Sequence, residues 1–321
     1  MTHAPSADRV RALSMLLVGS FFWGLSFPLL KAIMMLHAKM LPHASTSFWT
    51  VYAVAPRFLL AVLLMLGLRP RDCWRATAQE WKQGVMLGAF ASAGMFFQND
   101  GLQFTNASTS AFLTQFYAIL IPVWVALRSK RNPGPLVWVC CALVLAGVSV
   151  LGRFEWKEMR FGRGEIETLI SSMFFMGQIL TLGRSDFSGN RPERITFIMF
   201  VVQAVALWAL VPVTAPDVNA TLLPWTSPVW LALTIILTVL CTYAAYSLMN
   251  AWQPKITTTE AGLIYCVEPI FGSLMALVLP AAFSSMAGID YRNETGTWAL
   301  LVGGGLITLA NVLLQLNPPK S

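Results

Sequence analysis

The sequence predicts an all-α integral membrane protein in which ten transmembrane helices form two inverted five-helix repeats. Apolar runs of about 20 residues, the length that crosses the hydrocarbon core of a bilayer, recur along the whole chain. Only 12% of the 321 residues are charged and the mean hydropathy is +0.63; a soluble domain carries roughly 25% charged residues. Segments of the second half also repeat segments of the first, about 150 residues later.

The apolar runs predict a multi-pass topology with both termini on one side, because the number of spans is even. Of the 22 Lys and Arg residues, about fourteen fall in segments on the side of the N-terminus and about seven on the other, with Arg57 inside a span. This bias predicts a bacterial inner membrane protein with cytoplasmic termini. The spans are predicted at about 12–35, 48–67, 83–103, 106–127, 135–152, 165–184, 195–214, 228–250, 256–280 and 296–316.

Cysteine and histidine placement argues against an enzyme or a metal protein. The five cysteines form no CxxC pair and fall mostly within spans, as small core residues do. His3, His37 and His43 all fall outside the predicted spans, and no hydrolase, nucleotide-binding or metalloprotease motif occurs in a suitable context. The basic residues are scattered between spans, which argues against nucleic acid. The sequence therefore predicts no cofactor, no metal and no enzymatic activity.

The two halves repeat each other in a constant order. "FFWG" at 21–24 matches "FFMG" at 174–177, "GLQFTNASTSAFL" at 101–113 aligns with "AWQPKITTTEAGL" at 251–263, and "IPVWVAL" at 121–127 corresponds to "EPIFGSL" at 268–274. Because each repeat has five spans, an odd number, the second copy enters the membrane from the opposite side. Such inverted repeats place a substrate site at their interface near the bilayer midplane. The predicted repeats cover residues 12–152 and 165–316.

Glu268 is a carboxylate in the middle of the apolar segment 262–279, followed directly by Pro269. It lies about 18 Å along a helix that begins near Ile256. Pro269 lacks an N–H and clashes with the carbonyl of Tyr265, so it breaks the helix. Ionisable residues at this depth commonly line substrate pathways or relay protons. The alternative is that a hydrogen bond from Glu268 only stabilises the kinked helix.

Arg57 is the second charge within a span, in "VYAVAPRFLLAVLLML" at 51–66. Its guanidinium fork suits an anionic group such as a substrate carboxylate. The competing interpretation is an internal salt bridge or a side chain that extends to the outer interface.

Further polar and aromatic residues within spans are candidates for a cavity wall that takes an amphipathic, aromatic molecule. Each of them is alternatively a helix–helix hydrogen bond. Pro122 and Pro269 occupy matching places in the two halves and predict paired helix breaks near the site. The cavity candidates are Trp23, Gln98, Gln115, Tyr117, Gln178, Tyr246 and Tyr265.

Four motifs resemble EamA-type members of the drug/metabolite transporter superfamily: "FFWGLSF", "PRFLLAVLL", "GLQFTNASTSAFLTQFYAILIPV" and "TTTEAGLIYCVEPIFGSLMAL". The resemblance covers roughly residues 14–150 and 165–316. It implies ten helices, two EamA repeats, secondary transport of a small metabolite, often outward, and a place for Trp23 at the cavity wall. The sequence departs from the pattern at Met176, where the first half has Trp23, and at Ile121, where the second half has Glu268.

The combined prediction is a secondary carrier in the lipid bilayer that moves a small organic metabolite, amino-acid-like or drug-like, outward by alternating access. Proton coupling through Glu268 is one mechanism; uniport or exchange is the alternative. A channel would need a charged ring or a filter loop. A non-transporting membrane sensor or scaffold is the alternative of a different class. The protein is predicted to be a monomer or a homodimer.

Overall fold

The fold is described here from a computed structural model of the full chain. The structure describes residues 6–101, 104, 113–130, 132, 134–151, 162–295 and 298–316, and within these ranges the regular elements are helices, with no strand. Gln103, Thr109 and Ala111, which belong to the repeat alignment, lie outside the described residues.

The helices follow the predicted spans closely. Their ends obey local chemistry: Ser45 caps α2 by accepting from the Phe48 N–H, and Thr257 forms a capping box with Glu260 at the start of α12. The first half contains α1 (Ser6–Met40), α2 (Thr46–Leu68), the short α3 (Pro70–Trp74), α4 (Ala78–Gly101), α5 (Tyr117–Ser129) and α6 (Pro135–Leu151). The second half contains α7 (Arg163–Leu182), α8 (Pro192–Thr214), α9 (Val218–Leu222), α10 (Pro228–Ile236), a π-helix (Leu237–Ala244), α11 (Ala245–Trp252), α12 (Thr258–Tyr265), α13 (Glu268–Ala276), α14 (Leu279–Ala287) and α15 (Trp298–Leu316).

Length and composition identify four helical segments of the described chain that can cross a membrane: 7–40, 46–68, 192–214 and 228–255. A fifth is added if the pair 258–276 and 279–287, bent by 58°, forms one broken span. Shorter apolar helices lie at 117–128, 135–150 and 301–313. The chain is thus a multi-pass helical protein, and the number of ten spans stays a prediction.

One end of the bundle, which we call the Glu80 face, holds three ion pairs between the halves. α1, α4, α8 and α12 begin at this face and α2 ends there, because the paired residues lie at those helix ends. The pairs are Arg9–Glu260 at 2.6 Å, Arg69–Glu193 at 3.2 Å and Arg194–Glu80 at 3.1 Å.

The opposite end, which we call the Asp100 face, is where α1 and α4 finish and α7 begins. Arg163 Nη2 lies 2.5 Å from Asp100 Oδ2, and Lys39 Nζ donates to the Gly288 carbonyl at 2.9 Å. α7 returns from here to the Glu80 face, since a Cβ on Gly183, just after its end, would lie 2.3 Å from Thr258 Cγ2. The first helices of the two halves, α1 and α7, therefore run in opposite directions.

The helices of one half pack mainly on those of the other. α4 lies against α7 and α8, α2 against α8, α6 against α15, and α1 against the π-helix, α11, α12 and α13. Glycines allow the closest approaches: a Cβ on Gly147 would lie 2.7 Å from the Gly303 carbonyl oxygen, and one on Gly88 would lie 2.6 Å from Val202 Cβ. Small residues at crossings are how membrane helices gain packing without a hydrophobic driving force between them.

The prediction that His37 lies outside the spans is wrong. α1 continues to Met40, and His37 is fully buried within it. Its Nε2 accepts a hydrogen bond from Trp230 Nε1 at 2.6 Å. The partner comes from the second half of the chain, so the spacing of residues around His37 could not reveal it.

Candidate functional site

Two helix breaks face each other across the halves at a constant offset. α12 ends at Tyr265 and α13 begins at Glu268, with Val267 N donating to the Ile264 carbonyl at 3.0 Å. In the first half the turn at Gln115 and Phe116 precedes α5, and Phe116 N donates to the Leu113 carbonyl at 3.2 Å. Phe116 and Val267 are 151 positions apart in the chain. Val267 and Phe116 keep right-handed helical backbone angles, so each break is a tight turn deep within an apolar run.

The proline prediction holds for one half only. Pro269 lies in the first turn of α13, directly after the break. Pro122 lies inside α5, which continues without interruption from Tyr117 to Ser129, so the expected break at Pro122 is not present. The first half breaks before α5 instead. Within α5, Pro122 leaves the Ala118 carbonyl without its helical N–H donor, and Cys141 Sγ donates to that carbonyl at 3.4 Å.

Trp23, Tyr246 and Tyr265 meet in one cluster, which we call the aromatic triad. The Trp23 ring packs edge-on against Tyr246 at 5.3 Å and against Tyr265 at 5.4 Å between ring centroids. The three rings come from α1, α11 and α12, so both halves contribute. Trp23 is partly exposed while both tyrosines are buried, which leaves an indole face accessible beside two fixed rings.

Arg57 is buried, with 4% of its surface exposed. Its Nη2 lies 3.1 Å from the Met95 sulfur, its guanidinium lies 4.8 Å from the Phe58 ring centre, and its Nε has no partner. No carboxylate in the described chain forms an ion pair with it. Of the two predicted readings, an internal salt bridge is therefore not seen among these residues, and Arg57 does not reach the interface.

Glu268 is partly exposed and, like Arg57, forms no ion pair within the described residues. Both charges lie within electrostatic range of Tyr246 and of Cys241 in the π-helix. Glu268 also lies within range of Tyr117, which is packed near Gly262 of α12. Arg57 and Glu268 thus share the surroundings of Tyr246, one ring of the aromatic triad.

The three predicted glutamines lie in different surroundings. Gln178 Nε2 points at the Met199 sulfur at 3.7 Å, and Gln98 Nε2 donates to Thr114 Oγ1 at 3.2 Å. Gln115 is buried at the first-half break, and its Oε1 has no partner. Two residues that sequence reasoning missed do touch the site: Met95, which carried no signal, and Gln253, whose match to Gln103 in the repeat alignment was a signal.

The described part of the chain contains no group of three or more His, Cys, Asp or Glu side chains placed to hold a metal ion. All five cysteines are buried and free. The chemistry on offer is reversible binding of a small molecule through opposed charges and aromatic surface.

Comparisons with known proteins fit this geometry. Residues 10–153 match the EamA-like transporter family. Two proteins of Archaeoglobus fulgidus, each named an uncharacterized transporter, are similar: one is 25% identical over 93% of this chain and 83% of its own length, the other 23% identical over 80% and 84%. A solved crystal structure superimposes with a TM-score of 0.68 over 96% of this chain and 97% of that one, at 14% identity, and so shares the fold.

Proposed function

We propose that the chain is an EamA-type secondary carrier that exports a small organic zwitterion by alternating access, since residues 10–153 match the EamA-like transporter family and two proteins named uncharacterized transporters are similar to it. The observation that carries the proposal is that Arg57 and Glu268, neither of which forms an ion pair within the described residues, both lie near Tyr246 of the aromatic triad. Amino-acid-like molecules with an apolar or aromatic body fit it best.

The charges favour a substrate without net charge. Arg57 would bind a carboxylate in bidentate fashion, which its planar fork suits, and Glu268 would bind an ammonium group. A cation would meet Arg57 unpaired, and an anion would meet Glu268 unpaired; both are costly where water is excluded. Trp23 offers the body of the substrate a partly exposed aromatic face.

We propose two inverted repeats, at 12–152 and 165–316, as the framework for this transport. The opposite directions of α1 and α7 support it, as does the 151-residue offset between the helix breaks. Helix packing supports it too, because each contact has a counterpart when the two halves are exchanged. The packing of α4 on α7 corresponds to that of α11 on α1, and the packing of α4 on α8 corresponds to that of the π-helix on α2.

Ion pairs between the halves support alternating access, because each face can open only when its own bridges separate. At the Glu80 face, Glu80 and Glu260 also cap α4 and α12, through Thr77 and Thr257. Each carboxylate therefore keeps hydrogen bonds to its own helix when the arginine of the other half departs. The basic residues cluster at this face, which we assign to the cytoplasm of a bacterial cell together with both termini.

The test is transport by purified protein in liposomes, using radiolabelled zwitterionic amino acids with and without a pH gradient. If Glu268 carries the coupling proton, Glu268→Gln keeps exchange at equal pH and loses accumulation driven by the gradient. Unchanged gradient-driven flux in this variant rules out Glu268 as the proton site and leaves uniport or exchange. If the wild-type protein transports none of the zwitterions, the proposed substrate class is refuted.

A further inference from the structure

Gln253, a buried side chain outside the predicted site, makes two hydrogen bonds that tie the aromatic triad to α7. It lies in the short 3-10 turn between α11 and α12 and has 1% of its surface exposed. Its Nε2 donates to the Ile179 carbonyl at 2.7 Å, and its Oε1 accepts from the Tyr265 hydroxyl at 3.0 Å. Ile179 lies in the last turn of α7, and its carbonyl also accepts from the Gly183 N–H at 3.3 Å.

The chemistry of the three groups fixes the direction of both bonds. A backbone carbonyl only accepts, so the Gln253 amide must turn its NH₂ toward Ile179. The amide oxygen then faces Tyr265, and the tyrosine must donate its only proton to it. The Tyr265 hydroxyl is therefore committed to Gln253 and cannot donate to a substrate.

We propose that Gln253 is a positioning and specificity-determining residue: it holds Tyr265 as an apolar wall against Trp23, so that the site selects an aromatic body. The proposal rests on the proposed function of the triad as substrate surface. Without the hydrogen bond to Gln253 the Tyr265 ring would be free to rotate. This rotation would disturb its edge-on contact with Trp23, in which the ring centroids lie 5.4 Å apart. It would also bring a polar group to the wall, which favours smaller and more polar ligands.

The same hydrogen bonds link the aromatic triad to the end of α7. Ile179 belongs to α7, the first helix of the second repeat, whereas Trp23 belongs to α1, the first helix of the first repeat. The two hydrogen bonds of Gln253 would transmit a displacement of the end of α7 to Tyr265 in the wall of the site.

The test compares phenylalanine with leucine, two zwitterions that differ in the body, by ligand-induced thermal stabilisation of the purified protein. Gln253→Met removes both hydrogen bonds at similar volume, and Tyr265→Phe removes only the hydroxyl. Each single variant is expected to lower the preference for phenylalanine by roughly two- to tenfold, the worth of one hydrogen bond, and the double variant by no more than either. Asn311→Leu, which loses a buried amide bonded only to its own helix at Ile307, is the control and should leave the ratio unchanged.

A merely structural Gln253 would weaken the response to both ligands alike and leave their ratio as in the wild type, which would overturn the proposal. So would single effects that add in the double variant. If neither ligand stabilises the wild type, the proposed substrate class fails, and Gln253 is judged on melting without ligand. There, a drop in the double variant no larger than the larger single drop supports the link to Tyr265, and additive drops refute it.

Discussion

Replacing Arg57 with methionine is expected to stabilise the ligand-free protein while abolishing the binding of anionic groups. Arginine at the centre of a membrane helix costs about 2.5–3.5 kcal/mol on insertion scales. Contacts within the structure offset only part of this cost: Arg57 Nη2 lies 3.1 Å from the Met95 sulfur, and the guanidinium lies 4.8 Å from the Phe58 ring centre. A cation–π contact contributes about 0.5–2 kcal/mol. Methionine fills similar space without a charge, so a net gain of about 1–2 kcal/mol is expected.

The assay is thermal unfolding in detergent, first without ligand and then with a saturating zwitterion. A bound ligand at about 100 times its Kd stabilises the wild type by about 2.7 kcal/mol, and Arg57→Met should show none of this shift. Arg128→Met is the control, because Arg128 lies exposed in the last turn of α5, where the change should stay within about 0.5 kcal/mol.

A ligand-free Arg57→Met protein that melts below the wild type would refute the reasoning. It would mean that Arg57 stabilises the bundle through a partner and is not held in reserve for a substrate. Retention of ligand stabilisation in the variant would remove Arg57 from the binding site, whatever the direction of the change in stability.

The remaining predictions concern stability. Glu80→Ala should destabilise the protein by about 3–5 kcal/mol, because it leaves the Arg194 guanidinium unpaired where the side chains of Glu80 and Arg194 are only 3% and 15% exposed. Glu193→Ala should cost at most about 1 kcal/mol, because the side chains of Glu193 and Arg69 are 34% and 47% exposed. Equal losses of stability for the two variants in chemical unfolding would contradict this. Gly147→Leu should cost roughly 1–3 kcal/mol by forcing α6 from α15. Gly305→Leu, with nothing within 4 Å of its Cβ, should melt like the wild type, and a loss as large as that of Gly147→Leu would show that the approach of the helices is not what matters.

Local features of the helices could be predicted from the sequence. The apolar runs located the helices to within a few residues for most segments, and the Glu268–Pro269 pair located the second-half break, because a missing N–H acts within one turn of helix. The same reasoning failed at Pro122, because the Ala118 carbonyl that the proline leaves without an N–H donor accepts from Cys141 Sγ of α6 instead. The α5 break lies where no proline marks it.

Contacts between distant segments could not be predicted in this way. His37 was expected outside the spans because the first span was predicted to end near residue 35. It is buried instead, and Trp230, far along the chain, donates a hydrogen bond to it. Gln178 and Tyr265 had equal standing as polar residues within spans. Only packing turned Gln178 toward Met199 and brought Tyr265 to Trp23.

The sequence by itself determined that this chain is a multi-pass membrane protein with charges placed deep in its apolar segments, because chain length, hydropathy and charge are properties of consecutive residues. Only the tertiary structure decided that Arg57 and Glu268 share the surroundings of Tyr246 and that Gln253 occupies the Tyr265 hydroxyl. A helix that is apolar on all sides does not encode which side faces its neighbours. That choice is made when the helices pack and every buried polar group must find a partner.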